Sequence, residues 1–484
     1  MKRLLQAMVL SAALAAASQP AAAQDAKNVI DASSRAMGVT GLDSIKIFGS
    51  GVNYNLGQSN NANGPWPATP ISDYNRWIDF TQPASRATAV TFAAPVQGGA
   101  AAQGTFNQVI TPTNSAWAQA LEIWVTPWGF LRGAAQNSAT LETRTIDGKR
   151  YRLVTWSPAV KAPSGQSYRV TGYIGAQDLV ERVDTWIENP IFGDMLVQSD
   201  FTNYRDANGL KYPNTVVQSR GGWPTFQAQL LGVSANPSDI RERVAPPSPT
   251  PPAAAAPPAA PPTGSDKLAD GVWRIRGAYN ALAVEFRDHV VLFEPGPQNE
   301  ARAAAIIAET RRVIPGKPIR YGVISHHHFD HSSGLPGVVA EGITIVTPAV
   351  NKAFLEKALS APRTLSPDAM AKSGKKPVIE SFAGDRRVFT DDTRTLEIHV
   401  VKGLPHADGL LIGWLPKEKI LIYADLFNLP PAAAPVPNPP ILSTQVFLAN
   451  LQRLGLEPEQ IVSVHTLNPD RLATMRDIRA SLGQ

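Results

Sequence analysis

The sequence predicts two domains in tandem: a mainly antiparallel β domain, then an α/β or layered α+β domain. Three observations carry this reading. Residues 244–265, VAPPSPTPPAAAAPPAAPPTGS, are a Pro/Ala tract with nothing to bury, so they read as an extended, semi-stiff spacer. Before the tract lie many short β-rich segments punctuated by Gly, Pro and Asn; after it, strand-period and helix-period segments alternate. The chain has 484 residues, 43% hydrophobic and 18% charged, which is globular composition and too long for one ordinary domain.

The first 23 residues carry a basic start (Lys2, Arg3), an apolar Ala/Leu stretch and the small triplet Ala21, Ala22, Ala23 before Gln24. That pattern is an export signal. Its apolar part is shorter than the ~20 residues a membrane span needs, so no transmembrane segment is expected once the signal is cleaved. Localisation is therefore read as periplasmic or secreted. Cysteine is absent, which excludes disulfides and thiolate metal sites. The formal charge of +5 is small for this length, and no run of Lys and Arg is interleaved with aromatics. Nucleic acid is not an expected partner, and the oligomeric state is left open.

Residues 24–243 open with a helix predicted over 27–37. Segments such as SDYNRWIDF, YRLVTWS, SYRVTGYI and DMLVQSDFTNY then alternate in strand period, with Asn208-Gly209 as a turn signal. The stretch 120–136 reads as a helix laid across the sheet, interrupted by Pro127. This half holds no histidine and no catalytic constellation. Its layout loosely resembles periplasmic lipoprotein-carrier proteins, which hold lipid in a half-barrel. Its tryptophans, Trp66 and Trp128 among them, are read as core.

In residues 266–484, LADGVWRIRG, ALAVEF and HVVLFEPG read as strands, ARAAAIIAETRRVI as a helix, and KPIRYGVIS as a strand that runs into SHHHFDHSSG. Strand and helix alternate to a final helix predicted over 469–482. The SHHHFDHSSG stretch gathers four of the chain's eight histidines. Four adjacent imidazoles are hard to satisfy by packing alone, which points to a metal. His326 and His328, two apart in extended backbone, project to one side and can share an ion; Asp330 and His331, past the turn, can serve a second. His406, Asp425 and His465 each stand where a strand gives way to a loop and are the candidates to complete both sets. Histidine and carboxylate without sulfur suits zinc, with iron or manganese also compatible.

The order HxHxDH (His326, His328, Asp330, His331), a lone His406, a strand-terminal Asp425 and a lone His465 resembles the metallo-β-lactamase superfamily from about Leu268 to the C-terminus. The resemblance implies an αββα sandwich with two zinc ions at one edge. His326, His328 and His406 would bind the first, Asp330, His331 and His465 the second, and Asp425 would bridge them. It implies a hydrolase whose metal-bridging hydroxide attacks an ester, lactone, thioester or similar bond of a small-molecule substrate, with Asp330 as the catalytic residue that orients the nucleophile and relays its proton.

This chain departs from the family pattern in two places. Glu294 in FEPG stands where Asp is common, and is expected to orient a ligand. Thr466 follows His465 in place of the frequent Gly. With Asp425 and no Cys, the chain looks more like the hydroxyacylglutathione hydrolase, lactonase, alkylsulfatase and phosphodiesterase branches than like an antibiotic-degrading enzyme. His327 is expected to lie exposed or behind the ligands, His289 and His399 are read as structural, and residues 360–378 and 429–440 as walls of the substrate pocket. Two other readings stay open: a non-hydrolytic iron enzyme on the same scaffold, like a persulfide dioxygenase, and a periplasmic lipid- or ligand-binding protein with a degenerate metal domain.

Overall fold

The computed structural model describes residues 20–93, 102–113, 115–246, 263–431 and 434–484. Nearly all of the expected export signal (1–23) and most of the expected spacer (244–265) lie outside these residues. The spacer's two ends are described. Val244 closes the short helix Ile240–Val244 and is buried with Trp77, while Gly264 opens a strand.

The N-terminal half is one antiparallel sheet. Its strands are ordered Ala102–Ile110, Ala84–Ala93, Ala68–Asp79, Ser44–Tyr54, Trp223–Ala235, Leu210–Arg220, Gly193–Ala207, Val180–Asn189, Val170–Ile174, Lys149–Trp156, Thr140–Ile146. Alternate side chains point inward, as the strand Gly193–Ala207 shows by its regular buried and half-buried positions up to Phe201. Asn208 and Gly209, at φ 55° and 85°, close the tight turn between that strand and the next, as the sequence predicts.

Three helices cover the inner face. The first, Pro20–Met37, starts earlier than the predicted residue 27. The predicted 120–136 helix is two helices, Trp117–Trp124 and Pro127–Gln136. Pro127 cannot continue a helix but suits a first turn, and Thr126 caps the new start by accepting from Gly129 N at 3.1 Å. Phe130 and Leu131 from this helix are fully buried with Trp156 and Val170, each aliphatic or aromatic burial contributing about 1.5–3 kcal/mol.

The C-terminal half stacks two sheets between helices. The first runs Gly264–Ala269, Val272–Arg276, Ala281–Glu285, Val290–Phe293, Ile319–Val323, Thr344–Pro348, Ile379–Phe382, and the second Arg386–Thr390, Thr395–Val400, Leu411–Leu415, Ile420–Tyr423, Gln460–Ser463. Period-two alternation fixes the layers. Leu282, Val284, Val291 and Phe293 face the second sheet, whereas Ala281, Ala283, Val290 and Leu292 pack under the helix Glu300–Val313. The helix Leu442–Leu454 covers the other side through Phe447 and Leu451. This is the αββα order the resemblance implies. The final helix, expected over 469–482, is confined to Met475–Ala480, because the capping box of Thr474 and Asp477 sets its start.

The two halves touch through specific polar contacts. Arg363 is buried and donates to the carbonyls of Pro190 (3.0 Å) and Ile191 (2.9 Å). The carboxylate of Asp194 accepts from Thr364 N and Leu365 N at 2.9 and 3.0 Å. Part of the 360–378 segment thus docks on the N-terminal sheet. The loop 55–67, between the strands Ser44–Tyr54 and Ala68–Asp79, reaches the other way, onto the histidine cluster. There Phe329 N donates to Gly57 O at 3.1 Å. Gly57, at φ 86°, is held to glycine twice over, since an added Cβ would lie 2.4 Å from the Phe329 ring.

Candidate metal centre

The histidine cluster sits where the strand Ile319–Val323 ends at the sheet edge. Beyond Val323 the backbone bends at Ser325 and His327 and then enters the one-turn helix Phe329–Ser332. Two strands, one from each sheet, deliver carboxylates at residues with left-handed backbone, Glu294 (φ 66°) after Val290–Phe293 and Asp425 (φ 58°) after Ile420–Tyr423. Such conformations are costly for residues other than glycine, and cluster where a side chain must be aimed. His465 follows the strand Gln460–Ser463 and is fixed by Asn280 N donating to Val464 O (2.6 Å) and Thr466 N to Ala278 O (3.2 Å). Thr466 does not displace it.

All seven residues singled out in the sequence converge. Three groups form, each with its potential ligand atoms within 4.8 Å of one another: His326, His328 and His406; His326, His331 and Asp425; Asp330, His331 and His465. The middle group shares a member with each of the others, so Asp425 lies between the outer two. His331 Nε2 is 3.0 Å from Asp425 Oδ2 and 3.2 Å from both Asp330 Oδ2 and His465 Nε2.

The donor chemistry fits a metal. His326 Nε2 and His406 Nε2 are buried without a hydrogen-bond partner, a state that costs about 1–3 kcal/mol per group unless a cation satisfies it. Burial, together with the neighbouring imidazoles, pushes His326 well below its ordinary range and His328 down to about 3. Burial likewise lowers His406. These rings are neutral at pH 7, which is the form that ligates.

His331 goes the other way. Burial opposes its charge, but Glu294, Asp425 and Asp330 together hold it well above the usual range. The same pairing keeps Asp425 and Asp330 ionised against the effect of burial. The centre of the site is therefore a place where carboxylates demand positive charge.

Hydrogen bonds behind the ligands assign the ring atoms. His331 Nδ1 lies 2.8 Å from Glu294 Oε1, and the other carboxylate oxygen accepts from Ser325 N at 3.2 Å. Glu294 thus orients His331, the role the sequence suggests for it. His326 Nδ1 faces Ser325 Oγ at 3.1 Å, leaving Nε2 toward the site. His289 and His399 stand apart, paired with Asp288 (2.6 Å) and Glu397 (2.8 Å).

Three contributors are not legible in the sequence. Tyr279 donates its hydroxyl to Asp330 Oδ2 at 3.0 Å and packs its ring 4.5 Å from that of His465. Burial first and the Asp330 carboxylate second raise Tyr279, so it keeps its proton. Gln58 Nε2 donates to Asp330 Oδ1 at 2.9 Å, and Ser59 O lies 2.7 Å from His327 Nε2 and 3.0 Å from His328 Nε2. His327 is accordingly buried, not exposed. Gln58 and Ser59 come from the half in which the sequence shows no chemistry, and nothing local marks them.

Residues 274–458 match the family model described as Metallo-beta-lactamase superfamily, so the C-terminal half carries a domain of that family. No curated protein matches. Solved structures that resemble the chain include the DIM-1 metallo-beta-lactamase (13% identity, 46% of this chain and 97% of that one, TM-score 0.34). The FIM-1 metallo-beta-lactamase from Pseudomonas aeruginosa in its mono-zinc form is similar at 18% identity, 47% and 96% coverage and TM-score 0.34. The inverting sec-alkylsulfatase Pisa1 from Pseudomonas sp. is similar at 20% identity, 46% and 40% coverage and TM-score 0.32.

Proposed function

We propose that the metallo-β-lactamase domain makes this chain an exported hydrolase with two metal ions, acting on an ester, lactone or thioester of a small molecule. The observation that carries the reading is the set of three overlapping donor groups, with buried Nε2 atoms that no protein group satisfies. His326, His328 and His406 would hold one ion, Asp330, His331 and His465 the other, with Asp425 between them. Zinc suits these N and O donors, and iron or manganese is compatible. Bound there, divalent ions lower the pKa of a water toward neutrality and polarise the bond to be cut.

The protein supplies orientation and proton handling. Both oxygens of Asp330 are fixed, one by Gln58 and one by Tyr279, so the carboxylate is aimed before substrate arrives. Asp330 orients the attacking water and passes its proton to the leaving group. It is half-exposed, as is His465, so substrate enters from their side, while His326 and His328 are sealed behind. The export pattern of residues 1–23 supports a site of action in the periplasm or outside the cell.

The test is a panel of p-nitrophenyl esters, lactones, thioesters, phosphodiesters and β-lactams against zinc-loaded and chelated full-length protein. Turnover of a carboxylic ester, lactone or thioester that chelation abolishes and zinc restores is expected. Turnover untouched by exhaustive chelation would overturn the proposal.

A further inference from the structure

We propose that the 55–67 loop of the N-terminal half is an integral part of the metal centre, positioning His328 through the Ser59 carbonyl and Asp330 through Gln58. This inference rests on the two-ion reading of the site.

The geometry makes the case residue by residue. A carbonyl can only accept, so the His328 nitrogen that meets Ser59 O, Nε2, carries the ring proton. Nδ1 is then the lone-pair nitrogen, and the tautomer that ligates is chosen by a backbone atom from the other half of the chain. His327 Nε2 donates to the same oxygen, using its second lone pair. A carboxylate likewise only accepts, so Gln58 must present its amide NH₂ to Asp330 Oδ1, opposite the hydroxyl of Tyr279 on Oδ2. The loop also grips the segment that carries His406. Asp408 N donates to Asn60 O at 2.6 Å, and Asn61 Nδ2 donates to the Asp408 carboxylate at 2.9 Å.

The loop is itself anchored. Gly57 O holds Phe329 N, and Trp66 packs 6.0 Å from the Phe329 ring while donating to Arg220 O at 3.1 Å. Four successive residues, Gly57 to Asn60, thus each contact a segment that carries candidate ligands. Groups that orient a metal ligand from behind are worth about 10–100-fold in metal affinity or activity.

The experiment uses the full chain, with Co²⁺ and Zn²⁺ as probes, reading affinity by competition with a chromophoric chelator and site geometry by the visible spectrum of the Co²⁺ form. In one variant residues 55–67 are replaced by an Asn-Gly turn, which can close the hairpin because Tyr54 pairs with Ala68. The other is Gln58→Ala. The hairpin variant is expected to bind the ion at His326, His328 and His406 about 10–100-fold more weakly, with an altered Co²⁺ spectrum. Gln58→Ala should weaken the ion at Asp330, His331 and His465 while leaving the first alone.

If both variants bind both ions within about twofold of the unaltered chain and give its spectrum, the inference is wrong and the two-ion reading stands. If the hairpin variant does not fold, Gln58→Ala decides alone, and an unchanged affinity for the second ion overturns the inference. If the unaltered chain binds neither ion, the two-ion reading fails and takes the inference with it.

Discussion

The two outer donor groups of the centre differ in the way their surroundings treat them. His326, His328 and His406 are 0%, 2% and 9% exposed, walled by the sheet edge and by the 55–67 loop. In the other group the side chains of Asp330 and His465 are 33% and 30% exposed, and only His331 is sealed. One group is built like a structural site and the other like a working face, yet the middle group ties them together, through His326 on one side and His331 on the other, with Asp425 between. The difference teaches that affinity and access are assigned to different residues of one cluster, so substitutions should separate binding from rate.

The largest effect is expected in the closed group. His326→Ala or His328→Ala should lose that ion and reduce turnover nearly to background, read as metal content and initial rate on the same preparation. Retention of both ions would break the comparison. Asp330→Asn keeps size and an oxygen donor but removes the charge and the proton acceptor. The first ion should be held as before and the second more weakly, so that with both sites loaded at excess metal the rate falls by roughly 10²–10⁴, the usual worth of a positioned acid–base group.

Glu294→Gln tests the open group from behind, since Glu294 is fully buried and its carboxylate bonds His331 Nδ1 and Ser325 N. Its loss of charge should weaken the second ion about 10–100-fold, seen by chelator titration, with the first held as before. The smallest effect belongs to His327→Ala. His327 lies between two ligands but turns its Nε2 to the Ser59 carbonyl, so both ions and most turnover should survive. The cost should appear in thermal unfolding, at about 1–3 kcal/mol for a lost buried hydrogen bond and ring. Damage equal to that of His328→Ala would show that the register of the ligands is wrong.

The legibility of the sequence divides along the same lines as the two halves. The seven candidate ligands could be read because each follows a strand, and a strand end places a side chain with little help from distant chain. Glu294 could be read for the same reason. Gln58 and Ser59 could not, because their partners lie 272 and 269 residues away, and only the docking of one half on the other brings them together. Local punctuation decided the smaller differences. Pro127 starts a helix where a single interrupted one was expected, and Thr474 with Asp477 delays the last helix. Trp128 and Trp156 of the first half are fully buried, as expected of core, but Trp186 and Trp223, also expected in the core, are 47% and 37% exposed, and Trp66 anchors the loop that reaches the other half.

The most direct measurement is metal content of the purified full-length chain after chelation and reloading, followed ion by ion during withdrawal by a competing chelator. The donor groups predict close to two first-row ions per chain leaving in two steps, the ion at Asp330 and His465 first, and the sealed one at His326, His328 and His406 second. A chain that takes up no ion, or a single ion whose removal is unaffected by His328→Ala, would contradict the account.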